Sequence, residues 1–158
     1  MILALTLPGG GADASVVASN GEWEGYSEME ASKQVCFMGS EPQKSVGKYT
    51  RRGQVYVLIT HRPVEKSFNV VSITTGYTFK ENSEVSIVIG KRTFKLQPSG
   101  GHAFTVDSKD DNALVGAMIR GSSMIIKGIS SRGTHTTDTY SLKGFSATHK
   151  AISKACGK

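Results

Sequence analysis

The sequence has no long apolar run and little proline, and each shortage excludes a class of protein. No run approaches the roughly 18 apolar residues that a membrane-spanning helix needs, so we expect no transmembrane segment. The chain has only 4 prolines and is 38% hydrophobic, which is unlike a disordered chain. Its 158 residues suit a single domain with its own core.

Recognisable catalytic and cofactor motifs are also missing. There is no Gly-x-Ser-x-Gly nucleophile motif, and the glycines at 9–11 lack the strand and helix that flank a phosphate loop. The histidines show no zinc spacing to cysteine or to one another, and His135 and Asp138, three apart on a predicted strand, should point to opposite faces. We therefore predict no catalytic residues, no metal and no cofactor. The four histidines are His61, His102, His135 and His149.

Basic residues are missing from the first fifth of the chain. Residues 1–32 hold five acidic residues and no Lys or Arg, whereas residues 33–158 hold all 19 basic residues and eight acidic ones. A basic body can favour anionic surfaces such as nucleic acid or lipid headgroups. Because no basic run or aromatic-basic signature of a nucleic-acid module is evident, a solvated surface is favoured and no nucleic-acid partner is predicted.

The N-terminal segment resembles a signal peptide without its positive start. An apolar run at 1–7 is followed by a Pro-Gly-Gly-Gly break, and Ala12-Asp13-Ala14 has the small-x-small form of a cleavage site before Ser15. We predict a truncated signal peptide or flexible leader over 1–20 and one domain over 21–158. We also expect residues 1–14 to make few contacts with the domain.

Short β-type segments recur along the rest of the chain with turn residues between them. This spacing predicts an all-β fold, an antiparallel β-sandwich of immunoglobulin-like architecture. Gly90-Lys91 suits a type II′ hairpin turn, and residues 39–53 are predicted to be a polar loop. The predicted strands span 23–26, 35–38, 55–60, 68–75, 84–89, 92–96, 102–106, 124–129 and 134–142.

Two short helices are predicted, near 112–120 and at the C-terminus over 145–155. Asp110-Asp111-Asn112 supplies an acidic start and a cap for the first, with Gly121 after its last turn. The second repeats Phe145, Ile152 and Ala155 at helical spacing.

The Thr-rich segment from 134 to 142 is polar on both faces, which predicts an edge strand. With the nearby Arg132 it could bind a partner by strand addition, or remain a solvated edge. His61 and Arg62, before Pro63, form a second candidate contact point. The candidate contact residues are His61, Arg62, Arg132 and His135.

Several segments resemble the invasion-associated locus B family. They are YVLITHRP at 56–63, GYTFK at 76–80, IGKRTFKL at 89–96, KGISSRGT at 127–134, DTYSLKGFS at 138–146 and the terminal AC at 155–156. The resemblance runs in order from about 23 to 156. It implies export from a Gram-negative cell and an association with host invasion, but it supplies no catalytic motif.

Cys36 and Cys156 are the two cysteines. They could be inert thiols, Cys36 could act as a nucleophile with a histidine, or the two could form a disulfide. In an exported chain the disulfide is favoured, and we predict it.

These observations predict an exported, non-enzymatic binding protein, periplasmic, secreted or associated with the outer membrane. Its expected partner is a host-cell or envelope protein. The alternative is a periplasmic housekeeping or envelope-stress binding protein without a direct host role. A hydrolase would require convergent polar groups in a pocket.

Overall fold

The computed structural model describes residues 14–158, which form a mostly antiparallel β fold with two α-helices. The predicted fold class is confirmed, including the helix at the C-terminus. The helices are α1 (Ser108–Arg120) and α2 (Phe145–Ala155), and a 3₁₀ turn covers Pro63–Glu65. The strands are β1 (Ser15–Asn20), β2 (Trp23–Glu30), β3 (Lys33–Ser40), β4 (Lys44–Gly47), β5 (Tyr56–Arg62), β6 (Ser67–Thr74), β7 (Val85–Ile89), β8 (Arg92–Ser99), β9 (His102–Phe104), β10 (Ser123–Ile129) and β11 (His135–Ser141).

The strands are hydrogen-bonded in the order β1-β2-β3-β5-β6-β9-β8-β7-β10-β11-β4. Strand β8 connects two sheets, because residues 92–96 pair with β7 while residues 97–99 pair with β9. Two sheets joined in this way can fold over one another and bury their inner faces. The prediction ended this strand at 96, because Pro98 resembles a turn residue; it lies instead opposite Ala103.

The core is a single cluster drawn from both sheets and both helices. Strand β5 lies between β3 and β6, as its apolar character on both faces predicts. Trp23 on β2 is fully buried, donates its indole N–H to the carbonyl oxygen of Ser141 at 2.8 Å, and meets the ring of Phe145 edge-on. Trp23 therefore links β2 to the end of β11 and to the start of α2.

Helix α1 begins earlier than predicted. Its N-cap is Asp107, whose side chain accepts from the backbone N–H of Asp110 at 2.9 Å. Asp111 is buried and accepts from the backbone N–H of Val71 on β6, so it docks the helix on the sheet. Gly121 ends the helix with φ at −85°, an extended backbone and not the left-handed cap that glycine favours.

Helix α2 has the predicted bounds, and the predicted disulfide holds its C-terminal end to the sheet. Cys36 on β3 and Cys156 are bonded, with their Cα atoms 6.1 Å apart and both side chains buried. The confirmed disulfide closes a loop with a sequence separation of 120 residues.

Three segments differ from the sequence-based expectation. Residues 15–20 were assigned to the leader but form strand β1 against β2, while residues 1–13 lie outside the described part of the chain. Residues 44–47, within the predicted polar loop, form β4. Strand β11 was predicted to be an edge but lies between β10 and β4, which itself forms the edge. Polar composition was misleading there because β11 buries Thr136 and Asp138, whose side chains bond to Tyr77 and Arg52 inside the molecule.

No helix within residues 14–158 is both long and apolar enough to cross a membrane.

Candidate functional site, a cationic cleft

A cleft of about 520 Å³ opens beside the edge strand β4. The loop after β4 forms one wall, and the turn between β10 and β11 forms another. We call it the cationic cleft, because its lining includes basic residues and no acidic one. The lining residues are Lys48, Tyr49, Thr50, Arg51, Arg52, Tyr77, Thr78, Ser130, Ser131, Arg132, Thr134 and Thr136.

The side of the cleft nearest the core is formed around a buried ion pair between Arg52 and Asp138. Two parallel hydrogen bonds join the Arg52 guanidinium to the Asp138 carboxylate, at 2.8 and 2.5 Å, and the two side chains are 6% and 1% exposed. Arg52 also donates from Nε to the carbonyl oxygen of Thr75 at 2.7 Å. This bidentate geometry orients both side chains. Because Arg52 satisfies the Asp138 carboxylate, the polar strand β11 can lie inside the sheet.

Burial opposes the charge on Arg52, but its bonds to Asp138 more than offset this effect, so the pKa of Arg52 is raised. Arg52 is therefore positively charged at physiological pH. Its charge is matched by the Asp138 carboxylate, so Arg52 contributes structure to the cleft and little free positive charge.

Two tyrosine rings pack against the Arg52 guanidinium. Its central carbon lies 5.2 Å from the Tyr49 ring centre and 5.3 Å from that of Tyr77. The Tyr77 hydroxyl is hydrogen-bonded to the Thr136 hydroxyl at 2.6 Å, and its ring meets Phe79 edge-on. Tyr77 is thus held on several sides. Tyr49 is 37% exposed and presents ring surface to solvent.

The loop carrying Lys48 to Arg52 is held at its far end by backbone contact with residue 76. The backbone N–H of Gly53 donates to the carbonyl oxygen of Gly76 at 2.9 Å. Gly76 has φ at +77°, and a Cβ there would lie only 2.5 Å from the carbonyl oxygen of Gly53. Only glycine allows both this positive φ and this close approach of the two backbones. The loop is therefore held by Gly76 as well as by Arg52.

The opposite wall is fixed by backbone hydrogen bonds. Ser131 donates its backbone N–H to the carbonyl oxygen of Thr78 at 2.8 Å, and Ser130 donates to that of Thr134 at 2.9 Å. The Ser130 hydroxyl oxygen also accepts from the backbone N–H of Thr134 at 3.1 Å. Arg132 therefore extends from a well-supported turn.

Three cations of the cleft have no acidic partner in the described part of the chain. The ion pairs found there join Arg52 to Asp138, Arg62 to Glu30 and Lys95 to Glu84. Lys48, Arg51 and Arg132 take part in none of them, and all three are exposed. A solute entering the cleft meets three available positive charges placed on two walls.

The four residues predicted as a contact surface do not come together. Arg132 lines the cleft. His61 is fully buried, so its prediction as a contact residue is wrong; β5 is an internal strand, and the residue turns inward. Arg62 forms an ion pair with Glu30, in which Arg62 Nη1 lies 2.7 Å from Glu30 Oε2. His135 is exposed and borders a separate depression on the sheet with Glu84 and Lys127.

His61 lies in a buried polar cluster whose chemistry can be tested for catalysis. Its Nε2 is 3.0 Å from the hydroxyl oxygen of Ser153, the distance expected of a nucleophile and its base. However, His61 Nδ1 accepts a hydrogen bond from the backbone N–H of Asn69 at 3.0 Å. The proton of the neutral ring is therefore on Nε2, so that nitrogen donates to Ser153 and cannot remove its proton.

Electrostatics around the cluster disfavour a charged ring. Burial, with smaller contributions from His149 and Lys158, lowers the pKa of His61 to about 4. Burial and Lys158 also lower the pKa of His149, whose Nε2 lies 2.8 Å from the side-chain oxygen of Asn69. These histidines connect β5, β6 and α2 as neutral hydrogen-bonding groups.

The carboxylate pair Glu28 and Glu30 shows unequal acidity. The hydrogen bond from Arg62 lowers the pKa of Glu30, while burial and the adjacent Glu30 raise that of Glu28. Their pKa values move apart as in an acid–base pair, but the Glu30 carboxylate is already hydrogen-bonded to Arg62.

Within residues 14–158, no three His, Cys, Asp or Glu side chains are grouped to hold a metal ion.

Among the cleft residues, the sequence analysis identified Arg132 and, within the Thr-rich segment 134–142, Thr134 and Thr136. The run Lys48-Tyr49-Thr50-Arg51-Arg52 combines basic and aromatic residues and was a usable signal, but it was included in the predicted polar loop. The pairing of Arg52 with Asp138, 86 positions apart, has no sequence signal.

The fold and the cleft define a class: a disulfide-bonded antiparallel β domain with a rigid, positively charged surface cleft. Within that class, the chain belongs to the invasion associated locus B (IalB) protein family, whose family model matches residues 23–153. The resemblance predicted from the sequence motifs is thus confirmed.

The fold is similar to the crystal structure of invasion associated protein B from Bartonella henselae. The TM-score is 0.59 at 16% sequence identity, over 89% of this chain and 97% of that one. At this identity the likeness concerns the fold. No curated protein matches the chain.

Proposed function

We propose that this IalB-family protein is an exported, non-enzymatic binding module whose binding site is the cationic cleft. The observation that carries the proposal is that three cations without acidic partners in the described chain lie on loops that are held in place by contacts within the protein. Lys48, Arg51 and Arg132 have no acidic partner among residues 14–158, while Arg52 and Asp138 hold the loop that bears the first two. A preorganised charged surface loses little entropy when it captures a partner.

Export is supported by the disulfide. Disulfides persist in oxidising compartments and are rare in the cytosol, and this one joins buried cysteines far apart in the chain. The proposed location is the periplasm, the outer-membrane surface or the medium.

A binding role without catalysis is supported by the chemistry of the buried histidines. The hydrogen bond from Asn69 to His61 fixes the tautomer that cannot activate Ser153. The cleft itself contains hydroxyl groups and cations but no histidine or carboxylate to serve as a general base.

An association with host-cell invasion is supported by the family description and by the name of the Bartonella henselae protein. We infer that the cleft engages a component of the host surface. A periplasmic housekeeping role is the alternative, in which the cleft engages a component of the bacterium's own envelope.

The test is a pull-down with the full chain against host membranes and, separately, against envelope extract. The cleft variant Arg51→Glu/Arg132→Glu is compared with Lys91→Glu/Lys109→Glu, which makes the same charge change at exposed sites outside the cleft. A host component retained by the wild type and the control but lost by the cleft variant supports the proposal.

If only an envelope component is recovered, and the cleft variant loses it, the result would support the housekeeping alternative. If the cleft variant recovers the same components as the wild type, the proposal fails.

A further inference from the structure

The composition of the cationic cleft is unusual for a protein surface. Its twelve lining residues are four basic residues, two tyrosines and six serines or threonines. None is aliphatic, none is acidic and none carries a side-chain amide. The cleft therefore offers positive charge, aromatic ring faces and hydroxyl groups, and a ligand must match all three.

The placement of charge requires a ligand with more than one anionic group. Arg52 is neutralised by Asp138, which leaves Lys48 and Arg51 on one wall and Arg132 on the other. Arginine binds carboxylate and phosphate, and by the same geometry the similarly shaped sulfate, through two parallel N–H donors, which makes each such contact directional. A ligand with anionic groups spaced along a chain can reach both walls.

Tyr49 supplies a flat surface for stacking. Its ring is partly exposed and rests on the fixed guanidinium of Arg52. The negative face of an aromatic ring attracts the C–H groups on the face of a sugar ring, which carry partial positive charge. Tyr77 is engaged by Phe79 and Thr136, and Tyr49 is the more exposed of the two rings, so Tyr49 is the ring that a ligand reaches more readily.

The hydroxyl groups of the cleft can each donate and accept one or more hydrogen bonds. Four of them belong to residues that are exposed or half-buried: Thr50, Thr78, Ser131 and Thr134. A ligand rich in hydroxyl groups replaces their bonds to water with equivalent bonds. A fatty-acid chain finds no aliphatic wall here, and the lining has neither the side-chain amide that pairs with adenine nor the carboxylate that pairs with cytosine.

We propose that the cationic cleft binds an acidic saccharide, a short run of sugar rings carrying carboxylate or sulfate groups. The inference rests on the proposed function and specifies the ligand of the same site. Lys48, Arg51 and Arg132 bind the anionic groups, Tyr49 stacks on a ring, and the Ser and Thr hydroxyls bond to the sugar hydroxyls. The volume of about 520 Å³ falls within the about 300–1,000 Å³ of ordinary ligand sites.

The test is titration calorimetry of the full chain with five probes. Two are acidic sugars, a heparin-derived tetrasaccharide bearing sulfates and a tetragalacturonate bearing carboxylates only. The others are neutral maltotetraose, pentaglutamate and ATP. At least one acidic sugar is expected to bind at least about tenfold more tightly than the other three probes, and the stronger of the two identifies the anionic group.

Variants separate charge from stacking. Arg51→Glu and Arg132→Glu are each expected to weaken binding at least tenfold and to reduce its dependence on salt. Tyr49→Ala should weaken binding about tenfold without changing the salt dependence, whereas Tyr49→Phe should retain it. Lys91→Glu/Lys109→Glu should bind as the wild type does. Thermal melting of every variant establishes that it is folded.

If maltotetraose binds as tightly as the acidic sugars, the ligand does not need charge and the proposal is wrong. If pentaglutamate or ATP binds as tightly as the acidic sugars, the cleft is not specific for saccharides and the proposal is also wrong. If no sugar binds while the pull-down still depends on the cleft, the saccharide inference fails and the binding function stands. If that dependence is also absent, both fail.

Discussion

At the scale of single residues, the Arg52–Asp138 pair does most to shape the site. Both side chains are nearly inaccessible, and each satisfies the charge of the other through two hydrogen bonds. Removing one partner leaves a buried charge without compensation, which typically costs about 3–5 kcal/mol. Arg52→Met and Asp138→Leu should each lower the free energy of unfolding by this amount, measured by urea denaturation.

The double variant Arg52→Met/Asp138→Leu is the matched control. It leaves no unpaired charge, so it should be less destabilised than the sum of the single variants by at least about 1 kcal/mol. Simple additivity of the two losses would show that the pair is not coupled.

His61 gives a second prediction at this scale, on pH dependence. Its pKa of about 4 in the folded protein lies below the ordinary value of 6.5, so the unfolded chain takes up the proton first as pH falls. The stability contributed by neutral His61 is complete above about pH 6.5 and is lost between pH 6.5 and 4. After allowing for solvent screening, the loss should be about 2 kcal/mol.

Urea denaturation at pH 7.5, 5.5 and 4.5 measures this slope. His61→Gln should be less stable at pH 7.5 but should lose less on acidification, and the exposed His135→Gln should follow the wild type. An unchanged slope in His61→Gln would assign the acid sensitivity to other groups, beginning with His149.

At the scale of elements, the disulfide decides whether α2 stays on the sheet. The helix has eleven residues, too few for much stability alone, and packs through Phe145, Thr148 and Ile152. In the chain-entropy model, a cross-link over 120 residues contributes up to about 5 kcal/mol. We expect Cys36→Ala and Cys156→Ala each to lower the melting temperature by ten degrees or so, on the order expected for several kcal/mol.

The double variant Cys36→Ala/Cys156→Ala should melt no lower than the single variants. A reductant should lower the melting temperature of the wild type to a similar extent and leave the double variant unaffected. Two free thiols in unfolded, unreduced wild-type protein would contradict the disulfide and weaken the case for export.

At the scale of the whole molecule, β1 sets where the folded domain begins. The strand pairs with β2 from Ser15 to Asn20, and Asn20 donates its side-chain N–H to the hydroxyl of Thr148 on α2 at 3.2 Å. A chain starting at Ser15 should melt like the full chain. A chain starting at Gly21 should melt several degrees lower, because it loses an edge strand and its contact with α2.

Equal melting temperatures for the two truncations would restore the predicted boundary at residue 20. A markedly lower melting temperature for the chain starting at Ser15 would instead show that residues 1–14 contribute to the fold.

Several parts of this protein follow from local sequence pattern and could be predicted without a structure. Short β-type segments separated by turn residues predicted most of the strands, and helical spacing predicted α2 with its observed bounds. With only two cysteines in the chain, composition also limited the disulfide to one pair. Family motifs predicted the family.

The position of β11 and the nature of the site depend on contacts between residues that are far apart in the chain. Residues 134–142 appear polar on both faces, and nothing local indicates that Asp138 is buried against Arg52, 86 positions away. His61 follows an apolar strand and precedes Arg62 and Pro63, as a surface residue would, yet it is fully buried. Asp138 and His61 can be buried because residues distant in the chain satisfy their hydrogen bonds, and the fold determines which residues those are.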